Sequence, residues 1–231
     1  MIISHEHRQY IRKHTTMGKG RYNGAYYYSV EICRYIIPLV RTDRNWITIN
    51  IPGVGVDHSI VFIHNNLHPE HYDWLRKYND LILVCGVPET ARKVSDIGKA
   101  IYLPLSIKKS LVEPHRTVKT KDTAYIGRKG KRYGIEFPTG TEFIEGLPRK
   151  QFLTEIAKFK KVYAVGRAAL EARYLGAEIL PYDERFPDPS IWTVYDSSEA
   201  AEMLQKQLDW IDNKGVGKES NMIIVDEGVI T

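Results

Sequence analysis

The sequence predicts an α/β protein with two parallel-sheet halves. Short apolar runs alternate with amphipathic segments, and this alternation occurs twice along the 231 residues. Such a pattern is typical of strand–helix–strand units. Between the two runs, residues 106–122 are polar, basic and without a clear period, which predicts a linker. The predicted domains are therefore residues 1–107 and 108–231, each within the usual size range of a small domain.

The first half begins with a helix over AYYYSVEICRYIIPLV, which Pro38 limits. Tyr26, Val30, Cys33 and Ile37 fall on one face of this helix. Pro69 and Pro88 stand at expected first helical positions. The predicted strands are NWITIN, SIVFIHNN, DLILVCG and AIYLPLS. This order of elements predicts a Rossmann-like domain with a parallel sheet.

The second half repeats the alternation. TAYIGR is a predicted strand ending at Gly127, and LPRKQFLTEIAKF is a predicted amphipathic helix with Phe152, Ile156 and Phe159 on its apolar face. In KKVYAVGRAALEARYLGAEILPYD, a strand leads through Gly166 to a helix over residues 168–175, and Gly176 closes that helix before a strand over 177–180. Asp196 is a predicted cap for a terminal helix, which carries Ala200, Leu204, Leu208 and Ile211 on its apolar face.

The composition favours an ordinary globular protein. Hydrophobic residues make up 43% and charged residues 26%. No apolar run approaches the roughly 20 residues of a membrane span, and the first residues lack the apolar core of a signal peptide, so a cytoplasmic location is expected. Cys33 and Cys85 lie in apolar segments and are expected to be buried reduced thiols. The net charge of +5 favours anionic partners such as nucleotides, nucleic acid or lipid head groups.

Gly166, Arg167 and Glu171 lie where a predicted strand gives way to a helix. Ligands of open parallel sheets bind beyond the carboxyl ends of the strands, where a helix amino end offers N–H groups to an anion. The segment therefore predicts a phosphate or sugar site. The alternative is that both of its glycines serve only as turn residues and that Glu171 is a solvated helix carboxylate.

The order of several features resembles the nucleotide-sugar glycosyltransferases of the GT-B fold, and the retaining members most closely. These features are the glycine-rich GKGRYNG with Gly18, Gly20 and Gly24, the basic YIGRKGKR, and the closing GRAALEARYLGAEILPY. The resemblance covers roughly residues 18–183. It implies two Rossmann-like domains facing a cleft, with the nucleotide sugar in the second domain and the acceptor in the first.

The resemblance also implies roles for particular residues. The donor diphosphate would contact Gly127, Arg128, Lys129 or Lys131, together with Gly166 and Arg167, and Glu171 would bind the ribose hydroxyls. His64 and Asn65, at the end of a strand in the first half, would be the catalytic residues on the acceptor side. No cofactor is implied besides the nucleoside-diphosphate sugar as co-substrate. UDP is a candidate nucleotide, and the sequence identifies neither the nucleotide nor the sugar.

Two departures separate this chain from the family pattern. The retaining members usually carry another glutamate seven intervening residues before the helix glutamate, and that position here is Tyr163. The chain is also much shorter than typical members. Both departures leave the stereochemical outcome undetermined and favour an alternative function, a non-catalytic module that binds nucleotides or nucleotide sugars.

Further alternatives come from other residues. The basic balance is compatible with a DNA acceptor, on whose bases Tyr26, Tyr27 and Tyr28 would stack, although helix packing explains these tyrosines better. It is equally compatible with a nucleic-acid-binding protein. His64, His68 and His71 have metal-ligand separations, but Pro69 interrupts their helix, so surface histidines are the preferred interpretation. The sequence predicts no oligomeric state.

Overall fold

The computed structural model describes residues 1–3, 24–48, 55–63, 69–128, 132–213, 223–225 and 228–230. The helices are α1 Gly24–Glu31, α2 Pro69–Leu75, α3 Pro88–Val94, α4 Lys109–Val112, α5 Arg149–Ile156, α6 Arg167–Tyr174 and α7 Ser197–Asn213. The strands are β1 Ile2–Ile3, β2 Asn45–Ile47, β3 Ser59–Ile63, β4 Leu81–Cys85, β5 Lys99–Tyr102, β6 Ser106–Ile107, β7 Lys121–Ile126, β8 Glu142–Ile144, β9 Phe159–Tyr163, β10 Glu178–Leu180, β11 Tyr195–Asp196, β12 Ile223–Val225 and β13 Gly228–Ile230.

The chain divides into two compact units. By their described residues, the first unit is drawn from Met1–Lys13, Ser29–Pro104 and Ser197–Thr231, and the second from His14–Tyr28 and Leu105–Asp196. The division expected from the sequence, at 107/108, places α7 with the second half, whereas α7 lies in the first unit. The roles of the two halves and the cleft between them stay predictions.

The first unit is built on a seven-stranded sheet with the order β1-β2-β3-β4-β5-β12-β13. Neighbouring strands run parallel up to β12, and among the described strands of this sheet only β13 pairs antiparallel. Every residue of β3 and β4 is buried. A continuous apolar sequence fits this position, because a central parallel strand is covered on both faces. The prediction of parallel α/β structure is confirmed here.

The second unit contains a four-stranded sheet with the order β10-β9-β7-β8, in which every neighbouring pair is parallel. A separate two-stranded sheet pairs β6 with β11. The α5 helix buries Phe152 and Ile156, two of the residues predicted on its apolar face. Phe159, the third, is the buried first residue of β9. The parallel α/β prediction is therefore confirmed for this unit as well.

The predicted linker is wrong in its first part. Residues 106–112 form β6 and α4, and Ile107 and Val112 are fully buried. Both elements pack against α6. Apolar side chains are widely spaced in this basic stretch, so the sequence shows no period, but contact with α6 covers them.

Two predicted details of the first unit are visible around its helices. The α1 helix ends at Glu31, earlier than the sequence predicts, and a π-helical turn, Ile32–Ile36, and a short 3₁₀ turn, Ile37–Leu39, extend the helical segment to Pro38. Cys85 is fully buried, which raises the pKa of its thiol to about 12, whereas Cys33 is half-buried.

Within the described ranges, no helix is both long and apolar enough to cross a bilayer.

A charged cluster lies near the amino ends of β2, β3 and β4. Nδ1 of His58 lies 2.6 Å from Oδ2 of Asp80, and its Nε2 lies 3.2 Å from Oδ1 of Asp43. Nη2 of Arg44 donates to Oδ1 of Asp80 at 3.2 Å. Hydrogen bonds to Asp80 and then to Asp43 raise the pKa of His58 above its usual value of 6.5, against the opposing effects of burial and Arg44. The protonated imidazole is therefore favoured in the folded state.

This cluster predicts a pH-dependent contribution to stability. Because the folded pKa of His58 is raised, the contribution is fully present below about pH 6.5 and is lost as the pH rises through the folded pKa. We expect the difference in free energy of unfolding between the wild type and His58→Asn to be larger at about pH 6 than at about pH 9. The change should stay below about 1 kcal/mol, since the imidazole is 43% exposed and solvent screens it.

Urea denaturation at both pH values measures this change. Asparagine is the chosen substitution because His58 has a φ of 55°, which asparagine adopts more readily than most residues. Asp73→Asn, on exposed surface in α2, is the control and should show no such pH dependence. Equal stability differences for His58→Asn at both pH values would contradict the assigned role of the imidazole.

Candidate functional site

The sheet of the second unit reverses its winding between β7 and β9. From β7 the chain passes to β8 on one side and then returns to β9 on the other. Register places Tyr125 beside Tyr163, and Ile126 beside Ile144. Ligands of open parallel sheets bind at such a reversal, in the crevice outside the carboxyl ends of the strands. By contrast, the described strands of the first unit's sheet follow one another in sequence order.

Gly127 and Arg128 follow β7 at this reversal. The hydroxyl of Tyr125 donates a hydrogen bond to the carbonyl oxygen of Arg128 at 2.9 Å. A Cβ atom on Gly127 would lie 2.5 Å from that hydroxyl oxygen, so only glycine fits without a shift of the tyrosine. The Arg128 side chain is exposed, and it forms no hydrogen bond or ion pair to the described residues. A built turn therefore presents a guanidinium that the described residues leave unengaged.

Gly166 lies beyond β9 and leads into α6. Its φ of 62° and ψ of −138° approach a region that only glycine occupies readily. Among the described residues, no side chain caps the amino end of the eight-residue α6. Backbone N–H groups at such an end are suited to an anion. The conformation alone is equally compatible with a simple turn. A functional role for Gly166 therefore depends on the other groups at this end of the sheet.

Arg167 and Glu171 of α6 are buried, with 5% and 0% of their surfaces exposed. Nε of Arg167 donates to Oε1 of Glu171 at 2.7 Å. Nη1 of Arg149, from α5, donates to the same oxygen. We call Arg149, Arg167 and Glu171 the Glu171 cluster. The alternative of a solvated Glu171 carboxylate is wrong, and the predicted contact of Glu171 with ribose hydroxyls stays a prediction.

Tyr27 of α1 completes the surroundings of this cluster. The guanidinium carbon of Arg149 lies 4.9 Å from the centre of the Tyr27 ring, within range of a cation–π interaction. Burial raises the pKa of Tyr27, against the opposing effect of Arg149. Tyr28 is 5% exposed, which confirms the packing interpretation for that residue. The sequence singled out these tyrosines but contained no signal that joined Tyr27 to Arg149.

The charged side chains of the Glu171 cluster sum to a net positive charge. Two guanidinium groups share one carboxylate oxygen, and each arginine is the first residue of its helix. Helix amino ends themselves carry partial positive charge. The pKa of nearby His115 is lowered, first by burial and then by the charges of Arg149 and Lys150. The region is therefore suited to an anion.

Aromatic side chains pack beside the carboxyl ends of β7, β9 and β10. Phe137 contacts Tyr125 and Tyr163, with ring centres 5.1 and 5.2 Å apart respectively. Tyr182 contacts the same three rings. Tyr163, which takes the position of the family's additional glutamate, is thus part of an aromatic group. This group adjoins a cavity of about 500 Å³, whose lining includes Ala164, Val165, Tyr182 and Glu184.

Several predicted site residues lie outside the described residues. These are Gly18, Gly20, His64, Asn65, Lys129 and Lys131. Gly24 is the first residue of α1. The histidine metal hypothesis also involves His64 and His68, outside those ranges, and no metal-binding group of side chains occurs among the described residues. The structure thus describes the second-unit site through Gly127, Arg128, Gly166, Arg167 and Glu171.

Comparisons with known proteins add no family to this geometry. No protein-family model, curated protein or solved structure matches the chain. The resemblance to glycosyltransferases therefore stands on the residues of this chain alone.

Proposed function

We propose that the protein is a glycosyltransferase that binds a nucleoside-diphosphate sugar at the carboxyl ends of β7 and β9. One observation carries the proposal: Gly127 and Arg128 follow one strand of the winding reversal, while Gly166 leads from the adjacent strand into α6. An exposed guanidinium and a helix amino end thus belong to the same edge of one sheet. Both are groups that bind phosphate.

The chemistry of sugar transfer gives these groups a purpose. When the glycosidic bond of a nucleotide sugar breaks, the leaving diphosphate gains negative charge. A guanidinium and backbone N–H groups fixed before the reaction stabilise that charge in the transition state. Arg128 is suited to this role because the described residues leave its side chain unengaged and the Tyr125 hydrogen bond fixes its backbone.

The cavity next to the aromatic group supports a binding place for the rest of the donor. It has a volume of about 500 Å³ and contains both apolar and polar lining residues. Binding pockets for small molecules commonly have volumes of roughly 300–1,000 Å³. Aromatic rings such as that of Tyr182 offer flat faces to a base or a sugar. The acceptor, with DNA among the compatible classes, and the catalytic roles of His64 and Asn65 remain predictions.

Arg128→Ala tests the donor site directly. We expect this change to weaken the binding of UDP by about tenfold to a hundredfold, the equivalent of losing one charge-assisted hydrogen bond or two. The binding of uridine should change little, because the guanidinium is assigned to the phosphates. Isothermal titration calorimetry measures both affinities.

The matched control is Lys160→Ala. Lys160 is an exposed cation of β9 that pairs with Asp122, near the amino ends of β9 and β7, so its loss should leave both affinities unchanged. Equal UDP affinities for the wild type and Arg128→Ala would remove Arg128 from the donor site.

A ligand screen tests the function as a whole. Nucleoside diphosphates and their sugars should raise the melting temperature, because a ligand that binds only the folded state stabilises it. Donor hydrolysis or transfer to an acceptor panel would then support the enzyme. Donor binding without either reaction would favour the non-catalytic binding module. Salt-sensitive DNA binding without nucleotide binding would favour the nucleic-acid-binding protein instead.

A further inference from the structure

We infer that Arg149 is a positioning residue for the diphosphate subsite, where it acts through Glu171 on Arg167 and on the amino end of α6. This inference rests on the proposed donor site and adds a residue that the sequence did not single out. The role is an indirect one. Arg149 belongs to α5, and it reaches α6 through the carboxylate that it shares with Arg167.

The contacts join two helices at a single oxygen atom. Arg149 is the first residue of α5 and Arg167 the first residue of α6, and both donate to Oε1 of Glu171. The carboxylate is fully buried, and the side chains of Arg149 and Arg167 are 17% and 4% exposed. Burial restricts the motion of all three groups. Movement of α5 or loss of Arg149 would therefore alter the position of Arg167.

Helix stability does not explain this arrangement. A cation is unfavourable at a helix amino end, and both arginines occupy that position. An arginine four residues before a glutamate is also the weaker orientation of such a pair. Burial of three charged groups adds a desolvation cost. Local rules are broken mainly where function requires it, and a site for an anionic ligand is such a requirement.

Tyr27 gives Arg149 a second contact besides its ion pair with Glu171. Its ring lies against the guanidinium, 4.9 Å from the guanidinium carbon. A planar guanidinium can stack on a ring while it donates to a carboxylate, whereas the compact ammonium of lysine does this less well. The position therefore favours arginine over lysine. Glu171, buried and shared by the two cations, then serves to hold Arg167 in place.

Calorimetry with inorganic pyrophosphate, UDP and uridine tests the inference. We expect Arg149→Met to bind pyrophosphate and UDP about tenfold more weakly than the wild type, with little change for uridine. Arg149→Lys should bind pyrophosphate with an affinity between those of the wild type and Arg149→Met. Tyr27→Leu should weaken pyrophosphate binding several-fold while it leaves all charges in place. Lys150→Met is the control, since it removes the adjacent cation on α5, and it should bind all three ligands as the wild type does.

The possible results distinguish this inference from the proposed function. Arg149→Met with wild-type affinity for pyrophosphate overturns the positioning role and leaves the donor site standing. Equal losses for uridine and pyrophosphate overturn it too, because they indicate a general structural effect. If Arg149→Met does not fold, the Arg149→Lys and Tyr27→Leu results decide. A wild type that binds neither pyrophosphate nor UDP removes both the proposed function and the inference.

Discussion

Glu171→Leu should lower the free energy of unfolding by about 3–5 kcal/mol, the range found when one partner of a buried ion pair is removed. The substitution leaves Arg149 and Arg167 in their buried positions without the carboxylate to which both donate. Two cations in a medium of low polarity then face each other and the positive ends of their own helices. Urea denaturation followed by circular dichroism measures the change.

Two further variants test whether the loss of stability comes from the unpaired arginines. Glu178→Leu removes an exposed carboxylate of β10, 60% accessible and paired with Lys161, and should change the stability by no more than about 0.5 kcal/mol. The triple variant Arg149→Met, Arg167→Met, Glu171→Leu replaces the whole Glu171 cluster by apolar side chains and should recover most of the lost stability. A Glu171→Leu protein as stable as the wild type would show that the carboxylate does not hold the two arginines.

In the segment 160–183, local sequence patterns predict the helix and both strands. A short apolar run, a helical pattern between two glycines and a second apolar run predict β9, α6 and β10, and the structure contains all three. Gly176 has a φ of 88°, in the left-handed region expected after a helix. Such signals are readable because they depend on the residues of the segment itself.

Elements that depend on partners far away in sequence cannot be predicted from local patterns. Strand β1 has two residues and β12 and β13 have three each, too few for a period to be visible. Strand β1 pairs with β2 and β12 pairs with β5, strands that are far away in sequence, and β13 is placed by its pairing with β12. The same reason explains the linker, in which Ile107 and Val112 are buried by contact with α6.

The same distinction between local signals and distant contacts applies to the residues of the candidate site. Gly127, Arg128, Gly166 and Arg167 follow predicted strands, so a rule about strand ends selects them. The surroundings of Glu171 were not predictable in this way. Its partner Arg149 lies 22 residues earlier, and nothing in the local pattern distinguishes an arginine that reaches a buried carboxylate from one that faces solvent.

Tyr125→Ala should lower the free energy of unfolding by about 3–5 kcal/mol, as large-to-small changes of buried aromatic residues do. Tyr125 is fully buried, and its ring packs against Phe137 and Tyr182. Tyr125→Phe keeps the ring and removes only the hydroxyl that donates to the carbonyl oxygen of Arg128. It should lose about 1 kcal/mol of stability, the net worth of one hydrogen bond.

The phenylalanine variant connects this stability to the proposed donor site. Without the hydroxyl, the backbone of Arg128 loses the bond that fixes it after β7. We therefore expect Tyr125→Phe to bind UDP several-fold more weakly, with uridine little affected. Tyr133→Phe, at an exposed position with 85% of the residue accessible, is the control for removing a hydroxyl and should bind UDP normally. Unchanged UDP affinity in Tyr125→Phe, alongside a clear loss in Arg128→Ala, would mean that Arg128 reaches the phosphates without this anchor, because its long side chain then adapts to a displaced backbone.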